Sequence, residues 1–283
     1  MVLLLFALLL RDYGDGHYNR RMSDSTTLVL EVAREAAQIA GEILLQGFGK
    51  VQTSHIDYKG EIDLVTTYDR ASEAAVVTLL QKRFPTHRIL AEEGGIGGDD
   101  ADHRWIIDPL DGTSNFAHGY PCFAVSIAYE YRGDLAVGVI YDPTRQEWFE
   151  GERGGGARLN GTRLHVSTAP DLLHSMIASG FPYNRAEVPD ALLRWGRFIH
   201  AARALRRDGS AALDLAYVAA GRFDGFYEAR LSPWDMAAGI LLIREAGGTV
   251  TDFEGHHHTL DRHDLVASNG AIHAAMLELI PGA

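Results

Sequence analysis

The run from Trp105 to Phe116, Trp-Ile-Ile-Asp-Pro-Leu-Asp-Gly-Thr-Ser-Asn-Phe, places two carboxylates and a hydroxyl (Asp108, Asp111, Thr113) within six residues. The apolar, β-branched residues ahead of Asp108 predict a buried strand that delivers it to the strand's end. Pro109 is expected to break that strand, and Asp111-Gly112-Thr113 to form a turn. Hard divalent cations such as Mg²⁺ take oxygen ligands in such an arrangement. Gly112 lets backbone N–H groups come close to an anion. The chemistry this predicts is metal-assisted attack on a phosphate ester. Asp-Pro and Asp-Gly are also ordinary turn dipeptides, so the specificity lies in the whole run and in further acidic motifs elsewhere.

Those motifs are three. Asp235 stands in Pro233-Trp234-Asp235-Met236, in the first turn of an expected helix, where a carboxylate either caps the helix or serves a site. Glu92 and Glu93 follow a strand and precede Gly94-Gly95, which places both on an exposed turn. Asp63 and Asp69 flank a strand-to-helix transition, where Asp69 could simply cap a helix from Ala71 onward. A site of Glu92, Asp108, Asp111 and Asp235 would hold two or three hard cations. A carboxylate shared by two ions about 3.5–4 Å apart suits in-line phosphoryl displacement.

The elements that must position these groups follow from periodicity. Apolar residues from Leu28 to Gly47 have helical spacing, with Ser25, Thr26 and Thr27 as candidate N-caps. A second helix is predicted over about 71–84, stopped by Pro85. Strands are predicted at 88–91 and 105–107. Residues 123–131 and 135–141 read as a hairpin through Arg132-Gly133-Asp134, and Asn160-Gly161 signals another. Beyond about Thr168 strands and helices alternate: strand 175–179, helix 190–204, a helix capped by Ser210 and running to Ala220, and strand 223–228. Helix 234–246, strand 249–253, strand 265–267 and helix 271–279 complete the series. The domain expectation is one unit over 22–283, with a helix-plus-antiparallel half (22–167) and an alternating half (168–283), the site lying between them.

Composition is that of an ordinary globular protein: 46% hydrophobic and 23% charged residues in 283. A net charge of −12 without a basic run argues against nucleic acid as a partner. It also means that cations must reconcile the protein with an anionic substrate. The single Cys122 excludes an internal disulfide and fits a reducing cytoplasm; it reads as a buried structural thiol. Residues 1–21 differ from the rest. Val2–Leu10 is apolar but too short to span a bilayer, which takes about 20 residues, and a basic n-region is absent. No membrane partner is expected, and 1–21 read as a non-structural extension, a weak membrane or export segment being the alternative. His256-His257-His258 is expected in a surface turn, offering at most adventitious metal binding. Asp99, Asp100 and Asp102 are expected in a solvated loop.

On these motifs the chain resembles the inositol monophosphatase family of Mg²⁺-dependent, lithium-sensitive sugar phosphatases. The carriers are Asp108 to Phe116 and Trp234 to Gly248, supported by Asp63 to Asp69, Ala91 to Gly94 and Gly209 to Asp214, in family order over about 25–280. The resemblance implies an α-β-α-β-α layered α/β fold and a homodimer. It implies Glu92, Asp108 and the Leu110 carbonyl on one metal, and Asp108, Asp111 and Asp235 on a second. Glu92 would also face a weaker third. Thr113 and Glu92 would orient the attacking water, with Asp69 holding Thr113. Gly112 and Thr113 would bind phosphate. Glu228, Asp111 and Ala211 would wall the substrate, with Gly209, Ser210 and Asp235 nearby and Arg206 a weaker candidate. Ala91 departs from the more usual glycine. Ser114 and Asn115 fit inositol-type members better than relatives with Lys after Asp-Gly-Thr, and the likeness is nearest to bacterial inositol-1-monophosphatases. Fructose-1,6-bisphosphatase, a broad sugar, nucleotide or histidinol phosphate phosphatase, and a catalytically idle regulatory binding protein stand as alternatives.

Overall fold

The computed structural model describes residues 26–58, 64–94, 97–182 and 184–280. The expectations for residues 1–21, for a cap at Ser25 and for Asp63 lie outside them. In chain order the elements are α1 (26–47), β1 (Ile56–Tyr58), β2 (Leu64–Thr66), α2 (Thr67–Arg83), β3 (His87–Ala91), β4 (Asp100–Asp111) and α3 (Thr113–Ala117). Next come β5 (Ala124–Tyr131), β6 (Asp134–Asp142), β7 (Glu147–Glu152), β8 (Gly156–Leu159), β9 (Thr162–Arg163), β10 (Met176–Ser179) and α4 (Val188–Ala201). The chain closes with β11 (Ala204–Arg206), α5 (Ala211–Ala219), β12 (Gly225–Glu228), α6 (Pro233–Glu245), β13 (Thr249–Thr251), β14 (Leu265–Ser268) and α7 (His273–Leu279).

Three apolar cores define five layers. α1 and α2 press Val32, Ala36, Leu44, Val76 and Leu80 against one face of a seven-stranded sheet ordered β3-β4-β5-β6-β7-β8-β9. The opposite face of that sheet packs on α5 and α6, which also cover a five-stranded sheet ordered β11-β10-β12-β14-β13. α4 and α7 close the outer face of the second sheet through Phe198, Met276 and Ile280. The order is α-β-α-β-α. α5 and α6 are sandwiched between sheets, so they are buried almost all round, as a helix without a polar face must be.

Strand β4 is the axis of the site. It pairs with β3 in parallel and with β5 antiparallel, and both its faces are covered by helices, so residues 105 to 110 are all buried. Trp105 and Ile107 face α1 and α2, whereas Ile106 faces α5 and α6. A period of two therefore turns Asp108 toward α6. Pro109 does not end the strand. The register with β5 shifts between Asp108 and Asp111, and this bulge carries the ring, which has no N–H to pair, to the strand's end. At its other end the strand starts at Asp100 and includes Asp102, whose Oδ2 takes Arg132 Nε at 2.8 Å. The expected solvated loop is thus partly strand, because solvated charges on a strand end leave no apolar signal.

Other boundaries moved for identifiable reasons. α2 begins at Thr67, not Ala71, because Thr66 is its N-cap: the Thr66 hydroxyl accepts from Tyr68 and Asp69 N–H, and Asp69 Oδ2 accepts from Thr66 N–H at 2.9 Å. α4 ends at Ala201, short of the expected end at Ala204, and Ala204 instead opens a strand, Ala204–Arg206, that pairs in parallel with β10. The β5–β6 and β8–β9 turns carry positive φ at both central residues (Arg132 and Gly133, Asn160 and Gly161), the backbone that two-residue hairpins need. The histidine run is divided: His256 and His257 are exposed, but His258 is buried. Cys122 is buried as expected, which pushes its thiol up to about 12. No helix among the described residues is long and apolar enough to cross a membrane.

Phe149 is fully buried where β7 meets α5, edge-on to Tyr217 at 6.0 Å. Phe149→Ala is expected to lower unfolding free energy by about 3–5 kcal/mol, read as an earlier urea midpoint with the slope unchanged. Burial also lowers His258 from 6.5 to about 4. The folded state then binds fewer protons than the unfolded chain in that window. Its contribution is complete above pH 6.5 and is lost as pH falls through about 4. The stability difference between wild type and His258→Leu should therefore change across pH 6.5 to 4 and level off above 7, measured by thermal melts; a pH-independent difference would contradict this.

Candidate active site

The site lies where β3 and β4 end against the N-termini of α5 and α6. Glu92 follows β3, its N–H reaching the Ile107 carbonyl at 3.3 Å. Glu73 Oε2, one turn along α2 from Asp69, accepts from Glu93 N–H at 2.8 Å. The turn carrying Glu92 is thereby tied to α2, and both glutamates are half-buried, not fully exposed. Asp108 is 2% exposed, with Oδ1 accepting from Leu110 N–H at 3.0 Å. Asp111 Oδ2 accepts from Ser210 Oγ at 2.5 Å and from Ala212 N–H at 2.8 Å, which fastens β4 to the start of α5. Asp235 is the third residue of α6, and its Oδ2 accepts from Ser232 N–H at 2.6 Å.

These carboxyls raise one another's affinity for protons. Burial, then Glu92, Asp111 and Asp235, hold Asp108 well above the usual carboxylate range, and Glu92 hydrogen-bonds it directly. Burial and Asp111 do the same to Asp235. Burial brings Asp111 to about 6 against the lowering bonds from Ser210 and Ala212. Two carboxyls bond each other only when one keeps a proton, so the cluster calls for positive charge. Hard divalent cations fit this all-oxygen donor set. Asp69, brought to about 6 by burial, accepts from Thr113 Oγ1 at 3.0 Å; that hydroxyl is equally close to the Leu110 carbonyl.

Gly112 turns the chain from β4 into α3 at φ 93. A Cβ there would meet the Cys122 carbonyl at 2.8 Å, so glycine is required on both counts. A cavity of about 340 Å³ opens from the cluster, lined by Asp111, Gly209, Ser210, Ala211, Glu228 and Asp235 among others. Glu92, Asp108, Gly112, Thr113 and Asp69 lie off its wall. Arg206 is not on the wall; the adjacent Arg207 is, while Arg206 is exposed with Nη1 on the Leu205 carbonyl at 2.9 Å. Asn115 does not line the cavity either. Its amide donates to the carbonyls of Cys122 (2.7 Å) and Asp208 (2.8 Å), joining the β4 loop to the loop before α5. Its role is architectural, which removes it as a guide to substrate.

Sequence reasoning missed Glu73, Gly180, Arg207 and Asp214. Gly180 follows β10 where an added Cβ would fall about 2.0 Å from the Glu228 carboxyl, so the two are inseparable. Burial raises Glu228 to about 8 against the opposing Arg207 charge, and raises Asp214, beside Asp208 and Glu228, well above its usual value. Only Glu73 left a readable signal, as a carboxylate four residues after Asp69 on one helix face.

The "Inositol monophosphatase family" description matches residues 25–282. A Pseudomonas aeruginosa protein called Nus factor SuhB is 47% identical over 258 residues, covering 89% of this chain and 95% of that protein. A Mesorhizobium japonicum inositol-1-monophosphatase is 46% identical, covering 89% and 96%. The crystal structure of the extragenic suppressor protein suhB from Bartonella henselae superposes with a TM-score of 0.87 at 43% identity, over 90% of this chain and 99% of that one. With the layered fold and the acidic cluster at its centre, these likenesses place the chain in the inositol monophosphatase family.

Proposed function

We propose that the chain is a Mg²⁺-dependent phosphomonoesterase that hydrolyses myo-inositol monophosphate to inositol and phosphate. The observation that carries this is the set of buried and half-buried carboxyls Glu92, Asp108, Asp111 and Asp235, whose mutual repulsion needs cations. Two or three Mg²⁺ fit it: Glu92, Asp108 and the Leu110 carbonyl for one; Asp108, Asp111 and Asp235 for another; Glu92 again for a third. Bound there, Mg²⁺ would lower the pKa of water and offset charge on the phosphate.

The chain's own groups do the rest. The Thr113 hydroxyl, its hydrogen directed to Asp69, can only accept from a water. With Glu92 beside it, that water is turned so that its oxygen lone pair faces phosphorus. Water oxygen bonds to phosphorus as one of its protons passes by way of Glu92 to solvent, the ester P–O bond breaks, and the leaving alcohol oxygen takes up a proton from solvent water. Backbone N–H groups of Gly112 and Thr113 would hold phosphate. Ser210 and Ser232 start two helices whose positive ends point toward the same anion. Glu228, protonated near neutrality, can donate to and accept from ring hydroxyls, with Asp111, Ala211, Gly209, Ser210 and Asp235 around it. The reading extends to a cytoplasmic, lithium-sensitive homodimer.

A second reading comes from the relatives named Nus factor: this chain could carry a role that does not depend on turnover. One variant separates the two. Asp108→Asn is expected to keep the fold, by circular dichroism, and to lose at least ~10³-fold in kcat, the loss of several kcal/mol of metal-based stabilisation. Near-normal Mg²⁺-dependent phosphate release from that variant would overturn the metal assignment. Glu228→Gln should raise KM for inositol 1-phosphate by roughly 2–10-fold, one neutral hydrogen bond, with kcat little altered. Equal effects with fructose 1,6-bisphosphate, or a faster wild-type turnover of that substrate, would count against inositol phosphate as the substrate.

A further inference from the structure

The proposed phosphatase chemistry leaves the histidine run unused, and the three side chains have separate surroundings. After β13 the chain turns back through 252–257, with Gly255 at φ 83. Asp252 Oδ1 accepts from the N–H groups of Glu254 (3.0 Å) and His256 (2.8 Å). That fixes the carboxylate through Oδ1 and leaves Oδ2, in a side chain only 1% exposed, with no well-formed hydrogen bond and only ion-pair contacts to His256 and Arg262. Oδ2 lies 3.3 Å from His256 Nδ1, and Glu254 Oε2 lies 3.5 Å from the same nitrogen. All three atoms fall within 4.8 Å of one another. A tetrahedral ion with bonds of about 2.0–2.2 Å holds neighbouring ligand atoms roughly 3.3–3.5 Å apart. The two measured edges are thus those of a coordination shell.

We propose that Asp252, Glu254 and His256 form a binding site for a Zn²⁺-class divalent cation, separate from the catalytic carboxylates. An imidazole with two carboxylates favours late first-row ions over Mg²⁺, and water completes the shell. None of the three lines the cavity at the acidic cluster. His257 and His258 take no part: His257 Nε2 lies 3.5 Å from Arg244, and His258 is buried. Arg262 stands 4.0 Å from Asp252 and 3.7 Å from Glu254, and competes with the ion for the same oxygens.

The test uses the full chain, washed with chelator and held in saturating Mg²⁺, titrated with Zn²⁺ by calorimetry while the histidine ¹⁵N resonances are followed. Asp252 is too buried to replace cleanly, so the deciding variants are at His256 and Glu254, whose side chains are 69% and 52% exposed. Wild type should bind one Zn²⁺ more than His256→Ala and shift the His256 Nδ1 resonance. Glu254→Gln should weaken that ion at least ~10-fold, since even an outer-shell partner is worth ~10–100-fold. Arg262→Ala should tighten it. The same Zn²⁺ isotherm for wild type and His256→Ala would overturn the proposal and leave His256 as a surface residue paired with its two acids. So would loss of the ion only in His257→Ala.

Discussion

Everything in this fold answers to one electrostatic difficulty, the gathering of Asp108, Asp111, Asp235 and Glu92 at one point, with Asp108 buried and the other three half-buried. Like charges in a low dielectric repel strongly, and a floppy scaffold would let them part. Each aspartate is instead tethered by a donor from a different element: Leu110 N–H for Asp108, Ser210 and Ala212 for Asp111, and Ser232 N–H for Asp235. The tethers are backbone or short hydroxyl groups at strand ends and helix starts, the stiffest parts of the layers. Sandwiching α5 and α6 between two sheets makes those starts immobile.

Capping and chemistry are the same act here. Thr66 and Asp69 open α2, and Ser232 and Asp235 open α6, with one hydroxyl-x-x-carboxylate spacing. In both, Oδ2 satisfies the N-cap N–H, so the second oxygen is left to the centre; in Asp69 it takes Thr113. The two readings that the sequence leaves open for Asp235 and Asp69, cap or site residue, are therefore not alternatives. A carboxylate anchored through one oxygen is aimed by the helix through the other.

This doubling explains which parts were legible. Asp108 to Phe116 and Trp234 to Gly248 combine a buried element with the polar group it delivers, so periodicity and chemistry point the same way. Where that agreement fails, reading fails. The charged half of β4 has no apolar period, and a bulge rather than Pro109 decides how the strand ends. At β11 the expected helix reached one residue into the strand, and Arg207, not Arg206, lines the cavity once the strand has ended. Asn115 looked like a specificity residue because its neighbours are, yet only tertiary structure reveals the carbonyls it binds. Glu73 and Gly180 act on partners 20 and 48 residues away in the chain; the helix face that Glu73 shares with Asp69 hints at its place, but nothing local marks either partner.

Asn115 has a wider consequence. Its amide stitches a loop leaving the first sheet to one that follows the second sheet's edge strand, and Asp111 repeats the stitch through Ser210 and Ala212. The reactive centre is a seam and belongs to neither sheet alone. Fraying of either side would dismantle it before the bulk of the molecule melts, so turnover would act as a built-in gauge of whether the two sheets are still joined.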